Sequence, residues 1–225
     1  MSCEEPRRAT FSARIACQYL LHVPDAVDSR TALIVALHGF ASTPEAMLTL
    51  TCGLAGARHV IAALEGPHQF YLSTKTEETA CGWGTHRHPM ETIRLHHDMV
   101  RTVLEEAGSE FNIPRSRRVL AGFSQPVALN YRFAATFPEA AGGVIALCGG
   151  LPSDWEEAPY HKVQAAVLHI ARKSDEFYPV KVVEQYPERL RMRADDVEFH
   201  ILEGSHRVPS KAGPIIRPWL ERIVR

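Results

Sequence analysis

The sequence has 225 residues, 45% of them hydrophobic and 23% charged, with a formal net charge of −1. That length and make-up predict one α/β domain over residues 1–225, which buries roughly 70% of its unfolded surface and needs no staple. The balanced charge points away from nucleic acid or an anionic membrane as main partner, and no run approaches the ~20 apolar residues of a membrane span.

The first eight residues contain no apolar leader stretch. Cys3, Cys17, Cys52, Cys81 and Cys148 are an odd set without paired spacing. Both features predict reduced thiols and a cytoplasmic location. Residues 11–23 read as one or two edge strands. Residues 33–37 are a continuous apolar run, the mark of a central parallel strand, and end at His38-Gly39-Phe40. A helix follows over 44–55, with Ser42 or Thr43 as cap and Pro44 in its first turn. Residues 59–64 form the next strand, stopped by Gly66-Pro67.

Residues 69–89 read as a long irregular stretch, and loops of that length are usually functional or mobile. The wider segment 66–97 is therefore expected to act as a flap over a site. The next helix is marked by Ile93, His97, Val100, Leu104, Ala107 and Phe111 on one stripe. Asp98, Arg101 and Glu105 lie off it and can pair with one another. Strands follow at 118–123, 143–148, 165–171 and 197–202, with helical runs at 127–137 and 180–194, the latter broken or kinked at Pro187. A closing helix turns Ile216, Trp219, Leu220 and Ile223 inward. Alternating strands and helices predict a mostly parallel sheet covered on both faces.

Gly122-Phe123-Ser124-Gln125 sits between one of these strands and a helix. Strand, Gly-x-Ser, helix is how an α/β-hydrolase presents a nucleophile, on a strained turn that pushes the serine oxygen out at the sheet's carboxyl end. A serine hydroxyl attacks poorly unless a histidine takes its proton, and that histidine needs an orienting acid. The chain order in this fold is Ser, acid, His. Asp175 and His206 each follow a strand, so both reach the carboxyl edge with Ser124. Each residue alone has an ordinary reading as a turn, a cap or a surface side chain; their order and placement carry the case. Asp195 and Asp196 precede the last strand and belong at the opposite edge, and Asp154 is a weaker alternative acid. His169 reads as a core residue and Cys148 as a small buried side chain. The oxyanion needs two backbone N–H groups, assigned to Gln125 and Phe40.

These segments, with Leu147-Cys148-Gly149-Gly150-Leu151-Pro152 and Gly204-Ser205-His206-Arg207-Val208-Pro209, resemble the phospholipase/carboxylesterase family. That group includes acyl-protein thioesterases and bacterial carboxylesterases and is related to dienelactone hydrolases. The resemblance runs from about residue 33 to the C-terminus. It implies an α/β-hydrolase fold without a large cap, and a serine mechanism with no metal or cofactor on carboxylic esters or thioesters. It places the triad on Ser124, Asp175 and His206. The chain departs from the pattern in having Pro126 where the family has Gly and Cys148 where Ser is usual. The proline adds bulk beside the strand and pushes Gln125 away from helical φ/ψ, although proline is tolerated in a first helical turn.

The expected activity is hydrolysis of soluble small-molecule esters with short to medium acyl chains. Thioester or dienelactone-type hydrolysis on the same triad, and a non-catalytic binding scaffold impaired by Pro126, are the alternatives. Phe70, Tyr71 and Trp83 are candidate apolar walls of the pocket, with ordinary packing as the other reading. A zinc reading of His68, His86, His88, His96, His97 and Cys81 is disfavoured. Structural sites have recognisable pair spacings, and the adjacent His96 and His97 point about 100° apart on a helix.

Overall fold

The computed structural model describes residues 7, 9–157 and 159–225. In chain order its strands are β1 (Tyr19–His22), β2 (Leu33–Leu37), β3 (Val60–Leu64), β4 (His68–Ser73), β5 (Glu78–Gly82), β6 (Arg118–Phe123), β7 (Gly143–Leu147), β8 (Ala166–Arg172) and β9 (Val197–Leu202). The helices are α1 (Pro44–Ala55), α2 (Pro89–Glu110), α3 (Val127–Thr136), α4 (Val180–Val183), α5 (Tyr186–Arg191) and α6 (Gly213–Ile223). Seven strands form one sheet in the order β1-β3-β2-β6-β7-β8-β9. All neighbours in it are parallel except β1, which runs antiparallel on β3.

Every residue of β2, β3 and β7 is buried, because helices cover both faces. The period of two along β2 divides its side chains between two cores. Ile34 and Ala36 pack with Met47 and Leu54 of α1 and Ile216, Trp219 and Leu220 of α6. Leu33, Val35 and Leu37 pack with Met99, Val100, Val103 and Leu104 of α2 and Phe133 of α3. The α1 start follows its sequence signals: Pro44 opens the first turn, and the Thr43 hydroxyl accepts from the Ala46 N–H at 3.3 Å. The strand order reverses between β2 and β6, which opens a crevice at their carboxyl ends.

Several expectations change. Of residues 11–23, only Tyr19–His22 form a strand, and Phe11 is 88% exposed. Residues 69–89 are not an irregular loop. Their first half is the antiparallel hairpin β4-β5, which pairs Tyr71 with Thr79 and Gln69 with Cys81. Neither face of β4 enters a core, so its sequence has no clean apolar alternation to reveal it. Helix α2 starts earlier than the apolar stripe suggests, at Pro89. Arg101 pairs with Asp98 at 3.0 Å as expected, whereas Glu105 instead meets Arg115 and Arg118, each at 3.3 Å. The 180–194 run breaks ahead of Pro187. That proline falls in the first turn of α5, where its missing N–H costs no helical bond. Cys3 and most of the first eight residues, on which the leader reading rests, lie outside the described residues.

Candidate active site

Strand β6 runs straight into a tight turn. Ser124 takes a φ of 62°, which a non-glycine residue adopts only when its surroundings hold it. Its N–H donates to Leu147 O at 2.8 Å, and its C=O accepts from the Val127 N–H at 3.1 Å. Two glycines make room for this elbow. A Cβ on Gly122 would stand 2.7 Å from Asn130 Nδ2, and one on Gly149 would stand 2.3 Å from Val127 Cβ. Pro126 fits the same space. It sits at φ −76° and ψ −8°, and its C=O accepts the Asn130 N–H at 2.8 Å, so α3 starts without losing a bond. Even a Cβ on Gly122 would stand 3.5 Å from the Pro126 Cγ, an ordinary contact distance, so the expected crowding of the strand does not arise.

Asp175 leaves the end of β8 and His206 the end of β9. Their loops are tied together: Ser174 N–H donates to Gly204 O at 3.0 Å, and His206 N–H to Glu176 Oε2 at 3.2 Å. His206 Nδ1 lies 2.8 Å from Asp175 Oδ2, and its Nε2 lies 2.8 Å from Ser124 Oγ. The Asp175 side chain is 1% exposed. Its second oxygen, Oδ1, accepts the N–H groups of Phe177 and Tyr178, each at 2.9 Å. Both oxygens of this buried side chain therefore have hydrogen-bond partners. Phe123 stacks on the His206 ring at 5.2 Å and Phe177 meets its edge at 4.8 Å, which limits the ring's freedom.

The loop after β2 is held by β5. Ala41 N–H donates to Cys81 O at 3.0 Å and Cys81 N–H to Ser42 O at 2.9 Å. The Trp83 indole donates to His38 O at 2.7 Å. Gly66 N–H donates to His38 Nε2 at 3.0 Å, so the proton sits on Nδ1, which donates to Gly39 O at 2.7 Å. Burial lowers the pKa of His38, which favours this neutral form. The Gln125 side chain, to which the sequence reading gave no role, links hairpin and elbow. Its Oε1 accepts the Trp83 N–H and its Nε2 donates to Gly84 O, both at 2.9 Å. The segments carrying the Phe40 and Gln125 amides are therefore braced against β5 and the two residues that follow it. Removing this brace in Gln125→Ala strands two partly buried backbone groups, at a cost of about 1–3 kcal/mol. A thermal melt should read this as a fall of roughly 2–10 °C; an unchanged melting temperature would mean that the amide bears no load.

Above Ser124 and His206 opens a cavity of about 770 Å3, walled mainly by Phe40, Trp83, Ile93, Phe123, Leu129 and Tyr178. A polar catalytic-type cluster at the base of an apolar cleft on the carboxyl edge of a parallel sheet is the arrangement of an α/β-hydrolase. The phospholipase/carboxylesterase family profile matches residues 21–222. The chain belongs to that family.

Solved structures agree on the α/β-hydrolase fold. A Bacillus cereus carboxylesterase superposes with a TM-score of 0.72 at 14% identity, covering 92% of this chain and 94% of the other. A Zea mays acyl-protein thioesterase 2 gives 0.69 at 15% identity, with 92% and 99% covered. A phospholipase/carboxylesterase from Dyadobacter fermentans gives 0.62 at 20% identity, with 91% and 96% covered. No curated protein matches the chain by sequence.

Within this family member, the other sequence-predicted positions fall in different places. Trp83 lines the cavity, but Phe70 and Tyr71 do not. Successive residues of a strand face opposite ways. Phe70 stacks behind Phe40 at 5.2 Å, one layer away from the cavity, while Tyr71 is 63% exposed. Further walls, which sequence reasoning missed, come from Phe123, from Phe177 and Tyr178 after Asp175, from the start of α2 and from the first turn of α3. The signal was present in Ala128 and Leu129, apolar residues one turn past the elbow serine.

Asp154 pairs with Arg132 at 2.6 Å, Asp195 with Lys162 at 3.4 Å, and Asp196 with Arg222. His169 is buried, with its Nδ1 2.9 Å from the Tyr131 hydroxyl, and burial lowers its pKa to about 3. His96 is buried as well as His97. Its Nε2 is 3.2 Å from Asn130 Oδ1, and its pKa is pushed down to about 3 by burial. Among the described residues no three His, Cys, Asp or Glu side chains converge on a metal position, and no helix is long and apolar enough to cross a membrane. Cys148 is buried beside the site with its Sγ 3.5 Å from Arg207 O. Burial, with the negative Asp175 adding to it, pushes the thiol up to about 12, so it is protonated and not a nucleophile near neutral pH.

Proposed function

We propose that this chain hydrolyses small carboxylic esters of short to medium acyl chain through an acyl-enzyme on Ser124. The observation that carries the proposal is the unbroken run from Ser124 Oγ through His206 to Asp175, with 2.8 Å at each step, at the base of an apolar cavity. His206 Nε2 accepts the serine proton as Oγ attacks the ester carbonyl, and then returns it to the departing alcohol. Asp175 accepts from Nδ1 and so keeps Nε2 free to act as base. The N–H groups of Phe40 and Gln125 receive the oxyanion. Water, deprotonated by His206, then releases the acid. The cavity falls within the range of small-molecule sites.

A fluorophosphonate should label Ser124, with the adduct located by peptide mapping. Hydrolysis of p-nitrophenyl acetate through octanoate gives the acyl limit, and matched thioesters separate the two ester classes. An unlabelled, inactive protein would overturn the proposal and leave a non-catalytic scaffold.

A further inference from the structure

The cavity above Ser124 carries a guanidinium that the triad does not use. Arg132 lines it, one helical turn beyond Ala128 and Leu129 on α3, and its side chain is only 15% exposed. Its Nη1 donates to Asp154 Oδ2 at 2.6 Å and to the Tyr160 hydroxyl, and neither of those residues lines the cavity. Nε and Nη2 have no partner among the described residues, and both remain within reach of solvent. These two groups form the side-on fork of the guanidinium, which matches the two oxygens of a carboxylate. No Asp or Glu lines the cavity to occupy the fork. The first turn of α2 also enters the cavity, at Pro89 and Thr92, and no side chain caps it. Its free N–H groups add positive potential. Asp154 is 38% exposed, so water screens its hold on Arg132.

The chemistry of the triad decides which half of an ester meets this fork. His206 must protonate the departing alcohol, so the alcohol leaves on the side of β8 and β9, whose ends carry Asp175 and His206. The acyl part is left the other side, where Trp83, Ile93 and Leu129 form the wall and α2 packs toward β2 and β3. We propose that this end of the cavity binds the far carboxylate of a dicarboxylic acid monoester, with Arg132 as the residue that sets this specificity. The proposal rests on the esterase reading above. The carboxylate accepts from Nε and Nη2 while its methylenes lie along the apolar wall. Without the guanidinium the same wall would reject the charge, because burying an unpaired carboxylate is costly. Five residues of helix, roughly 7–8 Å, separate Val127 from Arg132, so a chain of medium length is required between the two carbonyl ends.

The test compares the p-nitrophenyl monoesters of adipic, suberic and sebacic acids with p-nitrophenyl hexanoate, octanoate and decanoate, their neutral partners of equal length. The parent should turn over at least one monoester with a kcat/KM equal to or above that of its neutral partner. Arg132→Met keeps an apolar stem and removes the fork. It should lower the monoester-to-neutral ratio of kcat/KM by about 10- to 100-fold, the worth of hydrogen bonds to a charged group, with the loss in KM. Asp154→Asn should raise the same ratio, because it removes the carboxylate that competes for the guanidinium, and a gain of this kind does not come from a damaged fold. A parent that hydrolyses the neutral esters and rejects every monoester would overturn the inference and leave the esterase reading standing. So would a ratio unmoved by Arg132→Met. A parent inactive on both series would overturn the two together.

Discussion

Ser124→Ala is expected to lower ester turnover by roughly a millionfold, the scale seen when a triad nucleophile is removed. The residual rate would come from binding and from the Phe40 and Gln125 amides alone. The argument depends on position. Oγ lies 2.8 Å from His206 Nε2, and it is held there by a strained backbone. Alanine keeps the Cβ, so the φ of 62° is no more strained than before, and the bonds to Leu147 O and from the Val127 N–H involve only the backbone. The variant should therefore fold and melt close to the parent, and should not react with a fluorophosphonate. Steady-state turnover, compared at equal folded concentration, checks this. Retention of more than about a thousandth of parental turnover would be more than an oxyanion site and binding are expected to provide, and would place the chemistry on another residue.

How much of this could be read from the sequence depends on where each residue's signal came from. The central strands announce themselves because burial on both faces demands continuous apolar runs, as in Leu33–Leu37 and Gly143–Leu147. That residues 124, 175 and 206 meet at one edge follows from simple geometry. Each comes directly after a parallel strand, and parallel strands end on the same side. The hairpin was hidden because β4 has no buried face to impose a pattern. Its error carried Phe70 and Tyr71 with it, since aromatic residues assigned to a loop have no defined direction, whereas on a strand they must alternate. The consequence of Pro126 was also not legible. Whether a ring crowds the strand depends on its distance from Gly122, which no local pattern encodes. The role of the Gln125 amide is tertiary in the same sense, because its partners lie 41–42 residues away.

Asp175→Asn is expected to lower kcat by about 10³ to 10⁴, with the fold intact. The direction of the effect follows from the two backbone donors that face Asp175. Phe177 and Tyr178 N–H both point at Oδ1, so an asparagine must place its carbonyl oxygen there. Its NH2 group then occupies the Oδ2 position, 2.8 Å from His206 Nδ1. A donor facing Nδ1 forces the imidazole proton to Nε2, and Nε2 then donates to Ser124 Oγ instead of accepting from it. The base is lost with every heavy atom in place. KM should therefore change little while kcat and the fluorophosphonate labelling rate fall together. The Nδ1 proton resonance of His206, observable by NMR in the parent, should vanish in the variant. A variant that kept parental turnover would show that His206 does not depend on Asp175 for its tautomer, and that the acid contributes only to holding the loop.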